Sequence, residues 1–165
     1  MAAFDGETDM VRLLLAHGAE LDIENENGDT GLSLALWCRH EATALLLIEA
    51  GANINHVDSD SSQAPLEQAL HLEMPHVFEV LLDRGAEFAL ASEGFLHNAL
   101  VFVARWGEER LIRKLLERGA SVTFQGKWSR TALDEATKYG HPHVAKILIE
   151  AGAQPAWDET RGILE

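Results

Sequence analysis

The sequence predicts an all-α fold, a stack of helix-turn-helix repeats, and three observations predict it. A Gly-Ala pair recurs at Gly18-Ala19, Gly51-Ala52, Gly85-Ala86, Gly119-Ala120 and Gly152-Ala153, with spacings of 33, 34, 34 and 33. Each pair closes a segment with apolar residues at helical spacing. Four of these segments are preceded, in register, by a second helix start. A fixed period of this size signals one supersecondary element repeated along the chain, each copy burying its apolar face against its neighbours.

The second helix of each pair is read from Val11-Arg12-Leu13-Leu14-Leu15, Ala44-Leu45-Leu46-Leu47-Ile48, Val77-Phe78-Glu79-Val80-Leu81-Leu82, Leu111-Ile112-Arg113-Lys114-Leu115-Leu116 and Val144-Ala145-Lys146-Ile147-Leu148-Ile149. The glycine that follows supplies the left-handed stop favoured at a helix C-terminus. First helices open at Thr30, Ala64, Asn98 and Thr131, where Thr or Asn can cap the start and the small residues that follow let helices approach closely. Pro75 and Pro142 stand where a first-turn proline is tolerated. The repeats are predicted as 25–58, 59–92, 93–125 and 126–158, with partial repeats at 1–24 and 159–165. One extra residue precedes each of the third and fourth helix pairs, and both insertions are placed in the tips.

This pattern resembles the ankyrin family, whose repeat of about 33 residues opens its first helix with Thr-Pro-Leu-His-x-Ala and places a Gly-Ala after its second. Thr131-Ala132-Leu133-Asp134-Glu135-Ala136, Gly140-His141, Val144 and Gly152-Ala153 fill the family's slots in register. The resemblance implies an ankyrin-repeat solenoid with β-hairpin-like tips, a single domain over 1–165, and a concave groove lined by the tips and the ends of the first helices. It also implies structural roles for His40 and His141. Ser62 and Leu96 depart from the family's turn glycine, which Gly28 retains, so those two tips are expected to be reshaped.

Charge is unevenly spread. Residues 1–83 hold sixteen Asp/Glu against Arg12 and Arg39, whereas 84–165 hold eleven of each sign. A net charge of −14 excludes a general nucleic-acid binder, which needs a Lys/Arg surplus. With no apolar run of eighteen residues and no signal-peptide pattern at the start, no membrane association is expected and the expected location is cytoplasmic. Cys38 is the single cysteine and can form no internal disulfide.

The ends of the first helices read Phe4-Asp5, Trp37-Cys38, His71-Leu72, Arg105-Trp106 and Lys138-Tyr139. Four of the five carry an aromatic, the residue type that, with Arg, dominates interface hot spots. A Trp at this slot also suits packing on the neighbouring helix, so both readings stand. Tips contribute Glu26, Asn27 and Asp29, then Asp60 and Gln63, then Phe95 and His97, then Lys127, Trp128 and Arg130. The expected partner surface is therefore acidic early and basic and aromatic late, and it fits a protein with a basic segment facing the first half.

Chemical motifs lack their context. Asp29-Thr30-Gly31 copies an aspartic-protease triplet without a second one. His141-Pro142-His143, Cys38 with His40, and His71 with His76 do not supply three or four metal ligands at site spacing. Cys38 has no evident base, and Ser33 lies in a core slot. No catalytic residue, metal or cofactor is expected. The sequence thus predicts a monomeric, non-enzymatic protein-protein interaction module. Two alternatives are an acidic inhibitor or immunity-like protein blocking a basic enzyme such as a nuclease, and a structural spacer within a larger multidomain protein.

Overall fold

The computed structural model describes residues 1–57, 63–87, 94–126 and 130–154. Among them are nine helices and no strand: α1 (Thr8–Ala16), α2 (Gly31–Trp37), α3 (Glu41–Ala50), α4 (Pro65–His71), α5 (Pro75–Asp83), α6 (Phe95–Trp106), α7 (Glu109–Glu117), α8 (Ala132–Lys138) and α9 (Pro142–Glu150). They form two compact units, Met1–Ala91 and Ser92–Glu165. In the first, α2 pairs with α3 and α4 with α5, while α2 stacks on α4 and α3 lies between α1 and α5. In the second, α6 pairs with α7 and α8 with α9, with α6 stacked on α8 and α7 on α9. First helices thus meet first helices and second helices meet second helices, as the register predicts.

The helix ends follow from the sequence locally. Gly51 adopts the left-handed conformation at φ 95°, which lets its N–H reach the Ile48 carbonyl at 3.2 Å and the Ala52 N–H reach Leu47 at 3.1 Å. The Gly-Ala pairs at 18, 85, 119 and 152 close their helices with the same two bonds. At the starts, Thr30 and Ser33 exchange bonds, as do Thr131 and Asp134, making two capping boxes. Ala64 has no side-chain oxygen, and only Glu67 contributes, accepting the Ala64 N–H at 3.1 Å. Prolines 65, 75 and 142 sit at the first turns of α4, α5 and α9.

The repeat predicted at 93–125 departs from the expected helix start. Its first helix opens at Phe95, with Gly94 before it at φ 96°, so Asn98 lies in the first turn rather than at the cap. Phe95 and His97 accordingly belong to helix α6 and not to a tip, and Phe95 is a core residue at 7% exposure. The N-terminal partial repeat keeps one turn of its first helix, through Asp5 N–H to Met1 O and Glu7 N–H to Ala2 O, both 2.9 Å.

Candidate partner-binding surface

In the N-terminal unit the amphipathic pattern of the first helices decides what faces outward. Leu32, Ala35 and Leu36 of α2 are fully buried, and the next residue, Trp37, is 67% exposed. Helix α4 repeats the arrangement, buried from Pro65 to Leu70 and exposed at His71. Phe4, in the same register, is 47% exposed, beside exposed Asp5. Cys38 and Leu72, one position later, are half-buried.

The first tip is a fastened turn. Asn25 Oδ1 accepts the N–H groups of Asn27 and Asp29 at 2.9 Å each, and Asn25 Nδ2 donates to Asp29 Oδ2 at 2.9 Å. Asp29 is therefore a half-buried part of the turn's own bonding, while Glu26 and Asn27 are exposed at its apex. Gln63 is half-buried, directly before the start of α4. Asp60, Lys127 and Trp128 lie outside the described residues.

In the C-terminal unit two arginines converge on one carboxylate. Glu135, with its side chain 8% exposed, accepts from Arg130 Nη1 at 3.1 Å and lies 3.6 Å from Arg105 Nε. The Arg105 guanidinium stands 5.1 Å from the Tyr139 ring centre and 6.0 Å from that of Phe102. Lys138 Nζ stands 4.9 Å from the Tyr139 ring centre. Tyr139 is exposed, whereas Trp106 is half-buried and engaged within the protein. His97 Nδ1 accepts the Ser121 N–H at 3.0 Å and its ring packs on Phe124, so this histidine holds the chain together.

The row of helix-end side chains thus resolves into two adjacent registers. By repeat position Phe4, Trp37, His71, Arg105 and Lys138 occupy the first, and Trp106 and Tyr139 stand one residue later. Glu135 is absent from the residues expected at the surface, although its position carries a signal. It stands at the slot that Leu34, Gln68 and Phe102 fill in the other repeats, and a carboxylate there needs cationic partners.

His40 and His141 bridge successive repeats. Their Nε2–H groups donate to the carbonyls of Phe4 at 3.0 Å and Arg105 at 2.9 Å, and each ring fills the space left by the missing Cβ of Gly6 or Gly107, 34 residues earlier. Met74 and Glu108, at the same repeat position as these histidines, follow Arg39 and Glu73 by 35 residues, and both of those hold positive φ without glycine. Histidine and glycine therefore occur as a matched pair across repeats.

A family model described as ankyrin repeats in three copies matches residues 1–58 and 66–156. The chain belongs to the ankyrin-repeat family. Its curated relatives include ankyrin repeat domain-containing protein SAT10 of Stachybotrys chartarum, 33% identical over 114 residues, which are 69% of this chain and 6% of that protein. A transient receptor potential cation channel subfamily A member 1 homolog of Caenorhabditis elegans is 28% identical over 152 residues, 90% of this chain and 12% of the channel. Human ankyrin repeat and SOCS box protein 16 is 32% identical over 153 residues, 88% of this chain and 34% of that protein. The chain spans from 6% to 34% of the length of these relatives. Ankyrin repeats are generally protein-protein interaction modules. Among the described residues no helix is long and apolar enough to cross a membrane, and no group of three or more His, Cys, Asp or Glu is placed to hold a metal ion.

Proposed function

We propose that this ankyrin-repeat chain is a non-enzymatic binding module that holds a protein partner on the ends of its first helices and the adjoining tips. The observation that carries this reading is Trp37, a large apolar side chain left 67% exposed at the end of an otherwise buried helix face. A tryptophan in that position offers a partner much area to bury at little conformational cost. Phe4 and His71 share its register, and Glu26, Asn27 and Asp5 add exposed polar and acidic groups in the same unit.

The partner is expected to carry a basic segment toward the N-terminal unit, which has three Lys/Arg against seventeen Asp/Glu. That imbalance also favours a second reading, an acidic inhibitor that blocks a basic enzyme. A monomeric, cytoplasmic protein with one unpaired cysteine fits both. Affinity capture from the native host followed by mass spectrometry, with the wild-type chain and Trp37→Ala in parallel, tests the main reading. A partner lost from the variant at unchanged melting temperature supports it, and equal capture by both overturns it. Catalysis by the captured partner, abolished on binding, selects the inhibitor.

A further inference from the structure

We infer that Arg105, Arg130, Lys138 and Tyr139 form a subsite for a single acidic side chain, an Asp or Glu carboxylate flanked by an apolar residue, on the protein partner. This rests on the reading that first-helix ends hold a protein, and it specifies the chemistry recognised at the C-terminal unit, where the N-terminal unit favours the opposite charge.

Glu135 builds the subsite from beneath. Its buried carboxylate fixes Arg130 at 3.1 Å and Arg105 at 3.6 Å, while the side chains of the two arginines remain 43% and 34% exposed. Holding two long cationic side chains in place before a ligand arrives removes part of the ordering cost of binding. The Arg130 guanidinium carries five N–H donors in a planar fork suited to carboxylates, and at 43% exposure it presents part of that fork to solvent. The Arg105 and Lys138 cations stand 5.1 and 4.9 Å from the Tyr139 ring centre and the residue is 44% exposed, so accessible ring surface lies beside the charges.

The buried carboxylate favours a ligand of low charge. Residues 130–139 together with Arg105 hold three cations and two carboxylates, Asp134 and Glu135. Asp134 is committed to the start of α8, accepting the Thr131 N–H at 2.8 Å and the Thr131 hydroxyl at 2.9 Å. With the Glu135 carboxylate already among these cations, a singly charged carboxylate is the anion that adds least repulsion. A phosphate dianion brings twice the charge toward Glu135 and is disfavoured by that repulsion.

The test selects phage-displayed random 12-residue peptides on the full chain, then measures the best sequence as a synthetic peptide with blocked termini. The expected winners carry Asp or Glu next to Leu, Ile or Phe. Replacing that acidic residue by its amide weakens binding at least tenfold, and Arg130→Gln and Lys138→Gln weaken the acidic peptide but not the amide peptide, a coupling that general destabilisation does not produce. Tyr139→Ala abolishes binding at unchanged melting temperature, and 10 mM inorganic phosphate does not compete. Basic or neutral winners, or winners displaced by that phosphate, overturn the inference. Peptides that depend on Trp37 and not on Tyr139 overturn it while leaving the proposed function intact. A selection in which no peptide depends on either residue overturns both.

Discussion

Replacing Gly107 by alanine places a methyl group against the His141 ring, with Cε1 2.6 Å from the new Cβ, in a backbone at φ 77° that disfavours any side chain. Gly140→Ala meets a similar φ of 76° but open space. The expected loss for Gly140→Ala is about 1–2 kcal/mol, from backbone strain alone, and that for Gly107→Ala exceeds it by about 1–3 kcal/mol of overpacking. Urea unfolding of both variants checks this, and adding His141→Ala to Gly107→Ala should remove the excess. Arg105→Ala leaves the buried Glu135 carboxylate with Arg130 alone and should cost about 1–3 kcal/mol, less than for a fully buried pair because both arginines are partly solvated. Pairing it with Glu135→Gln should restore part of that loss, read as a rise in melting temperature. Equal melting temperatures for Arg105→Ala and Lys138→Ala would show that Glu135 does not need its arginine.

At the scale of the element, each helix pair repeats one design, and its failures depend on where in the stack it lies. Thr131 caps α8 reciprocally with Asp134, so Thr131→Ala should cost about 1 kcal/mol in a thermal or denaturant melt. Leu14 and Leu81 stand at the same repeat position, four residues before the glycine, yet Leu14 is 46% exposed and Leu81 fully buried. Leu81→Ala should therefore cost about 2–5 kcal/mol and Leu14→Ala well under half of that, because no cavity opens at an exposed site. Unfolding free energies for the pair give the comparison directly. Much of this was legible beforehand: the period, the glycine stops, Thr30 and Thr131 as caps, and prolines 75 and 142 at first turns. The start of α6 was not, because Asn98 has the chemistry of a cap while the chain extends the helix back to Phe95 and buries that ring.

For the whole molecule, the distribution of charge sets how a partner is met. The N-terminal unit carries all the net negative charge and the C-terminal unit balances to zero, with ten Lys/Arg against ten Asp/Glu. A partner captured through the N-terminal unit should associate more slowly as salt rises from about 0.05 to 0.5 M, because screening shortens the reach of exposed charges. Stopped-flow or surface association rates read this, and a salt-independent rate would remove electrostatic steering from the account.

The sequence by itself determined the repeat, its register and the helix stops, because each rests on short-range rules: helical periodicity, left-handed glycine and side-chain caps act within a few residues of one another. It also determined the imbalance of charge, which is a count. Tertiary structure alone decided which helix-end aromatics face outward, exposing Trp37 and Tyr139 while half-burying Trp106. It likewise turned the basic stretch into a cluster organised by Glu135, and it joined His40 to Gly6 and His141 to Gly107. Arg105 with Glu135, His40 with Gly6 and His141 with Gly107 join residues 30 to 34 positions apart that successive repeats bring together. Exposure and ion pairing are properties of the packed neighbourhood, which no local pattern encodes.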